Sequence, residues 1–213
     1  VSAIKQKLIR FNEMKLSQMQ DIGGCRAVVR FVDDVHHIKK EFLKKVEEIL
    51  DSGEISMGKL CREFEEKWGE MNGCYCALVS SGTDALTLTI DALGIKGPIL
   101  TSALSFIATP NAITLNRKQV IFCDVKGNDA NINSLEVLSR ISSQKHINPL
   151  GCILAVGMYG TPPDMENLNN IAKGYKIPFV LDAAQCPLTT FNNKNLIDYC
   201  DVSRSYTTIQ GRS

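Results

Sequence analysis

The chain has 213 residues, of which 44% are hydrophobic and 22% charged, which is typical of a globular protein. A formal net charge of +1 provides no general attraction for nucleic acids or anionic membranes, so we expect neither as a partner. No apolar run approaches the roughly 20 residues that a membrane-spanning helix needs, and residues 1–7 contain no signal core. We therefore expect a cytoplasmic protein with one large domain or slightly more.

The first third of the chain is predicted to be mainly helical. Apolar residues recur at helical spacing in three segments, and the run from Arg26 to Val32 has the composition of a strand. The sequence thus predicts a basic amphipathic helix at 2–17, a strand at 26–32, and helices at 34–51 and 58–71. The first two of these form an N-terminal helix–strand extension.

Strands and helices alternate through the rest of the chain. Strands are predicted at 76–79, 98–101, 120–125, 151–156 and 179–181, and helices after Thr83 and at 109–115, 134–142 and 165–175. Several of the strands are continuously apolar, which is expected when helices cover both faces of a mainly parallel sheet. The sequence therefore predicts a three-layer α/β fold with a mainly parallel sheet.

The eight cysteines suggest neither a disulfide framework nor a zinc site. The closest pair, Cys74 and Cys76, is separated by one residue rather than two, and the other cysteines are scattered, several of them inside apolar runs. The three histidines do not lie at ligand spacing with these cysteines. We expect buried, reduced thiols and no structural metal.

Asp182 follows three apolar residues of the last predicted strand and precedes two alanines. In an open α/β sheet, ligands bind at the carboxyl ends of strands. A carboxylate there can hold a proton on a ring nitrogen, which the chemistry of pyridoxal phosphate (PLP) requires. The alternative is that Asp182 caps a following helix.

Two further segments follow predicted strands. Ser80 to Thr83 lies between a strand and a helix, where first-turn amides and the hydroxyls of Ser81 and Thr83 can bind a phosphate. The alternative for this segment is a simple serine or threonine N-cap. Phe106 follows the next strand and can stack on a planar cofactor, although a single phenylalanine also fits an ordinary core position.

These motifs together resemble the DegT/StrS type of PLP-dependent sugar aminotransferase, a branch of the fold-type I aminotransferases. The resemblance covers residues 38–205 and depends on three main motifs. They are Ser-Gly-Thr-Asp-Ala-Leu at 81–86, Ser-Phe-Ile-Ala-Thr at 105–109 and Asp-Ala-Ala-Gln at 182–185. The family transfers an amino group, usually from glutamate, to a nucleotide-linked keto-sugar, and it works as a homodimer.

The resemblance also implies roles for individual residues of the PLP site. Gly82 and Thr83 would bind the phosphate, and Phe106 would stack on the ring. Asp182 would pair with the pyridine nitrogen, and Gln185 would lie beside the ring near its phenolic oxygen. We expect these residues to meet in one PLP site.

The chain differs from the family at the position expected for the Schiff-base lysine. If Ser205 is the serine that helps to bind the phosphate, Gln210 occupies the position of the Schiff-base lysine, and glutamine cannot form an imine. The family's His-Leu-Tyr-Gly reads Gly-Met-Tyr-Gly at 157–160. The C-terminal part of the family is missing, and 206–213 read as an atypical tail. We expect an incomplete large domain that is catalytically inactive.

Residues 1–37 resemble a different family, the RelA/SpoT-type nucleotide pyrophosphokinases. The segment from Met14 to Val29 carries Asp-Ile-Gly-Gly-Cys-Arg, in which Asp21 would bind magnesium. A second acidic motif is missing from the sequence, so Asp21 is assigned as a metal ligand only if this segment is functional. A pyrophosphokinase fragment and a non-catalytic fusion remnant therefore stay open as alternative functions.

Overall fold

The computed structural model describes residues 32–54, 58–144, 148–205 and 208–211. The predicted helix at 2–17, Asp21 and nearly all of the predicted strand at 26–32 lie outside these residues. Val32, which was predicted to end that strand, instead begins helix α1 (Val32–Ser52). Within the described ranges, no helix is long and apolar enough to cross a membrane.

The described residues divide into two compact units between Arg62 and Glu63. The first unit contains α1 and the first turn of helix α2 (Lys59–Asn72). Two acidic residues in the first turn favour the start of α1, because they interact with the positive end of the helix dipole. At its other end, Gly53 adopts a φ of 75°, which glycine tolerates better than other residues.

The second unit alternates strands and helices, as predicted. Its strands are β1 (Tyr75–Leu78), β2 (Ile99–Ser102), β3 (Val120–Cys123), β4 (Cys152–Val156), β5 (Phe179–Asp182), β6 (Thr190–Phe191), β7 (Lys194–Asn195), β8 (Val202–Ser205) and β9 (Thr208–Gly211). Its helices, after most of α2, are α3 (Gly82–Ala92), α4 (Ala108–Leu115), α5 (Ser134–Gln144) and α6 (Met165–Tyr175), with a 3-10 turn at Leu196–Asp198.

Seven of the described strands form one sheet in the order β1-β9-β8-β5-β4-β2-β3. Strands β3, β2, β4, β5 and β8 are parallel to their neighbours in this order. Strand β9 is antiparallel to both β8 and β1, so β1 runs in the same direction as β8. The predicted mainly parallel α/β sheet is confirmed, whereas β8, β9 and the small β6–β7 hairpin were not among the predicted strands.

Helices cover both faces of this sheet. On one face, buried residues of α3 and α4 pack against alternate residues of the central strands: Leu86, Ile90, Ile113, Leu154 and Val180 belong to this cluster. On the other face, residues of α5 and α6 form a second cluster with the intervening positions, which includes Val137, Leu168, Ile153 and Leu181. The alternation explains why these strands read as continuously apolar.

Strand β1 lies at an edge of the sheet, and its residues alternate between exposed and half-buried. Edge strands present unpaired backbone groups that can pair with other chains. Here the Glu65 carboxylate accepts a 2.7 Å hydrogen bond from the Leu78 amide. A side chain from α2 thus accepts a hydrogen bond from a backbone amide of the edge strand.

Leu154 tests how far the fold depends on the face covered by α3 and α4. It is fully buried in β4, between Thr101 of β2 and Val180 of β5 in the register. Replacing it with alanine leaves a cavity, so we expect Leu154→Ala to reduce the free energy of unfolding by about 2–5 kcal/mol in urea titrations. Leu135→Ala is the control, because Leu135 is 77% exposed, and its effect should stay within about 0.5 kcal/mol. Equal effects of the two variants would contradict the assigned core.

Candidate functional site

The carboxyl ends of the parallel strands bring the predicted site residues to one edge of the sheet. Strand β1 leads into α3 at Gly82 and Thr83, and β2 leads through Phe106 into α4. Strand β5 ends at Asp182, with Gln185 in the turn that follows. Because β1, β2 and β5 run in the same direction, all five residues lie at the same edge.

Asp182 is buried at this edge, with only 2% of its surface exposed. Its Oδ2 atom accepts a 2.9 Å hydrogen bond from the Thr109 hydroxyl, and its Oδ1 atom accepts a 3.2 Å bond from the Ala184 amide. Residues 183–189 form turns rather than a helix, so the alternative that Asp182 caps a helix is wrong. Its side chain is fixed from two sides by other parts of the chain.

The start of α3 is capped by Ser81. Its hydroxyl accepts a 3.1 Å bond from the Asp84 amide, which confirms the N-cap alternative for this serine. The amides of Gly82 and Thr83 are first-turn donors, which an α-helix leaves without partners of its own. Helix α3 packs against β8, the strand beside β5, and Leu86 shares a core cluster with Val180. The helix start therefore lies on the same face of the sheet as Val180.

Asp84 is a second acidic group at this edge of the sheet, in the first turn of α3. Its carboxylate accepts hydrogen bonds from the Ser80 and Ser81 hydroxyls, the latter at 2.8 Å. These two bonds, first from Ser80 and then from Ser81, lower the pKa of Asp84 below its ordinary value of 3.8. The ionised carboxylate thus contributes to capping the helix, alongside the serine.

Phe106 follows β2, two strands from β5 in the sheet order, and Gln185 lies in the turn after β5 itself. Phe106 is 67% exposed, and its carbonyl accepts a 3.0 Å bond from the Thr109 amide. Gln185 is exposed, and its Oε1 atom accepts a 3.2 Å bond from the Tyr159 amide, which joins the turns after β5 and β4. The Phe106 ring is thus available to a planar ligand. The Gln185 amide oxygen, in contrast, is already bonded to the Tyr159 amide.

Ser205 and Gln210 are described only through the backbone. Ser205 ends β8 and pairs with Thr208, and Gln210 pairs with Ser203 of β8 and Cys76 of β1. Because Ser203 pairs in turn with Leu181, residue 210 belongs to the register row beside that of Asp182. Residue 209, paired with Arg204, shares the row of Asp182.

Two residues that support this edge were not predicted from the sequence. Thr109 ends the Ser-Phe-Ile-Ala-Thr motif at 105–109, but its hydrogen bond to Asp182, 73 positions further along the chain, was not predicted. Asn131 is fully buried and bonds the turn after β4 at three points, namely the Met158 amide and the carbonyls of Thr161 and Pro162. A polar residue between Ala130 and Ile132 gave no signal of this role.

Gly157, for which the resemblance implies a histidine in the family, has no space for a side chain in this structure. A Cβ atom at this position would lie 2.2 Å from Cys186 Sγ. Cys186 is 1% exposed, and burial together with the nearby Asp182 charge raises the pKa of its thiol to about 12. The thiol is therefore protonated at neutral pH and acts as a packing group.

The described residues show no cluster that could hold a metal ion. No group of three or more histidine, cysteine, aspartate or glutamate side chains comes together in these ranges. The arrangement at the sheet edge instead combines a buried carboxylate, a helix start and an exposed aromatic ring. Such a set suits an anionic, planar ligand that carries a nitrogen able to bind a proton.

The contact between Gly157 and Cys186 predicts coupled substitutions. We expect Gly157→Ala to reduce the free energy of unfolding by about 1–3 kcal/mol, because the added methyl group overlaps Sγ. In a Cys186→Ala background the same change should cost about 1–2 kcal/mol less. Cys200→Ala, which removes another buried thiol, is the matched control and should give no relief. Additive effects of Gly157→Ala and Cys186→Ala in urea unfolding would contradict the contact.

The capping of α3 should depend on pH through Asp84. Because the folded-state pKa lies below the ordinary value, the ionised form stabilises the helix start above about pH 4. This contribution is lost as the pH falls below 3.8 and through the folded pKa. Hydrogen exchange at the Asp84 and Ala85 amides should accelerate in that range relative to the helix centre. Asp84→Asn should abolish this change, whereas Asp91→Asn in the last turn of α3 should retain it.

Comparison with known proteins identifies the family of this fold. The model of the DegT/DnrJ/EryC1/StrS aminotransferase family matches residues 36–204. The chain is 36% identical over 151 residues to the UDP-4-amino-4,6-dideoxy-N-acetyl-beta-L-altrosamine transaminase of Campylobacter jejuni, a match that covers 70% of this chain and 39% of that protein. The chain thus spans well under half of the length of this curated relative.

Solved structures share the fold. A DegT DnrJ EryC1 StrS aminotransferase from Brucella abortus has a TM-score of 0.77 at 20% identity, over 87% of this chain and 55% of that one. The GDP-4-keto-6-deoxy-D-mannose-3-dehydratase of E. coli, solved with bound hydrated PLP, has a TM-score of 0.68 at 23% identity, over 80% of this chain and 48% of that one. With its sequence match over residues 36–204, this chain belongs to the DegT/DnrJ/EryC1/StrS aminotransferase family.

Proposed function

We propose that this chain is the PLP-binding part of a nucleotide-sugar aminotransferase. The observation that carries the proposal is the Asp182 carboxylate, buried at the carboxyl end of β5 and hydrogen-bonded through both oxygens. A carboxylate in this position is an acceptor for a protonated ring nitrogen. The family to which the chain belongs and the relative solved with PLP support the same cofactor.

The residues at the sheet edge fit each part of PLP. The first-turn amides of Gly82 and Thr83 would bind the phosphate, since a helix start attracts anions. Asp182 would hold the proton on the ring nitrogen, Phe106 would stack on the ring, and Gln185 would lie near the phenolic oxygen. The backbone end of β8 brings Ser205 to the same edge. When bound, PLP supplies an electron sink for a substrate carbanion.

We propose that PLP is held here without a covalent bond. If Ser205 is the family's phosphate-binding serine, Gln210 would occupy the lysine position, and an amide side chain cannot form an imine. Without that amine, no group at this position can take and return the substrate proton. The chain would therefore bind the cofactor but not complete amino transfer.

The substrates and partners follow from the same family membership. The curated relative from Campylobacter jejuni is named as a transaminase of a UDP-linked amino sugar. We propose a nucleotide-linked keto-sugar as the ancestral acceptor, glutamate as the amino donor, a homodimer as the assembly and the cytoplasm as the location. Residues 38–205 would form the partial large domain, followed by a tail at 206–213.

The N-terminal segment remains a separate hypothesis. Its resemblance to the RelA/SpoT-type family is limited to residues 1–37, and Asp21 lies outside the described residues. Magnesium-dependent binding of ATP would support a pyrophosphokinase fragment. Its absence, together with absent PLP binding, would favour the fusion remnant.

PLP titration of the purified chain tests the main proposal. We expect saturable binding by absorbance and complete release of the cofactor on dialysis, because no imine holds it. Asp182→Asn should weaken binding at least roughly tenfold, since a charge-assisted hydrogen bond is lost. Asp198→Asn, at an exposed aspartate of the 3-10 turn, should leave the affinity unchanged.

Two outcomes would overturn parts of this proposal. Stoichiometric fixation of PLP by borohydride would show that a lysine of the chain forms an imine, and the argument from Gln210 would be wrong. Equal affinities of the wild type and Asp182→Asn would remove Asp182 from the cofactor site.

A further inference from the structure

Thr109 connects the cofactor edge to a helix on one face of the sheet. It is fully buried in the first turn of α4, and its hydroxyl donates to Asp182 Oδ2 at 2.9 Å. The other oxygen of Asp182 accepts from the Ala184 amide, two residues further along the chain. One bond is therefore local to the turn after β5, while the other comes from a separate element.

The donor is itself held rigidly. Ala112 and Ile113, one turn further along α4, are fully buried in the cluster that also contains Val156 and Val180. A threonine side chain has few accessible rotamers, because its Cβ atom is branched. The hydroxyl position is thus set by the packing of α4 on the sheet, and the hydrogen bond transmits that position to the carboxylate.

We propose that Thr109 is a positioning residue of the cofactor site, which acts through Asp182. Its hydroxyl fixes the plane of the carboxylate, so that Asp182 faces the ring nitrogen of PLP without reorganising on binding. This inference rests on the proposed function, because it needs PLP at the edge. It also predicts that Thr109 matters for the ring nitrogen and not for the phosphate or the ring face.

Two cofactor probes separate this role from a purely structural one. The first is PLP, and the second is a PLP analogue with carbon in place of the ring nitrogen. Thr109→Val keeps the shape but removes the donor, so we expect about tenfold weaker binding of PLP. Binding of the analogue should change less than about twofold, because it makes no bond to Asp182.

Matched variants control for burial and side-chain shape. Thr109→Ser retains the hydroxyl and should restore most of the affinity for PLP. Thr89→Val is the control for the loss of a buried hydroxyl, since Thr89 is 2% exposed and its Oγ1 atom has no hydrogen-bond partner among the described residues. It should leave the affinities for both probes unchanged.

The proposal is overturned if Thr109→Val weakens both probes equally, or if Thr109→Ser is as impaired as Thr109→Val. Either result would mean that the residue maintains the fold rather than the orientation of the carboxylate. If Thr109→Val does not fold, Thr109→Ala replaces it in the same comparison, with the same selective loss expected.

The cofactor-free protein distinguishes a failure of this inference from a failure of the proposed function. In urea, Thr109→Val should raise the unfolding equilibrium constant roughly tenfold in the wild type and much less in an Asp182→Ala background. If the wild type does not bind PLP, the proposed function fails, but this cycle still measures the Thr109–Asp182 bond. Equal effects in both backgrounds would show that the hydroxyl does not hold the carboxylate.

Discussion

The hydrogen bonds that hold the buried carboxylate of Asp182 are the constraint on which the site depends. A carboxylate that loses water costs free energy unless other groups replace the lost hydrogen bonds. Here the replacements come from the turn after β5 and from α4. The Thr109–Asp182 bond therefore ties α4 to the end of β5. The backbone at Phe106 is held with it, because its carbonyl accepts from the Thr109 amide.

The common direction of β1, β2 and β5 brings the start of α3, Phe106 and Asp182 to the same edge of the sheet. Parallel strands place their carboxyl ends at one edge, and ligands of open α/β sheets bind there. Strand β1 does not pair directly with a parallel strand: among the described strands it pairs with β9, which in turn pairs with β8. The start of α3, which would bind the phosphate, thus depends on four residues near the end of the described chain.

The local features of this fold could be read from the sequence, whereas the long-range ones could not. Apolar runs and helical spacing gave the parallel strands and covering helices within a few residues, because burial on both faces leaves a strong pattern. Strand β9 contains Gln210 and Gly211 and has no such pattern. The Thr109 and Asn131 bonds, and the contact of Gly157 with Cys186, join distant segments and leave no local signal.

In the proposed function, the residues that would bind the cofactor and the residue that would form the imine belong to different parts of this chain. The acceptor on β5 and the ring at 106 follow strands that do not pair with β9, whereas the donors at the start of α3 follow β1, in which Cys76 pairs with Gln210 of β9. If residue 210 is the lysine position, as proposed, glutamine there removes the covalent link and the proton carrier but none of the hydrogen bonds from Thr109 and Ala184 to Asp182. The resemblance implies a second change at 157, where glycine stands in place of the family's histidine and the Cys186 thiol lies 2.2 Å from the position of a Cβ atom. Neither position donates to Asp182, whose carboxylate is bonded by Thr109 and Ala184.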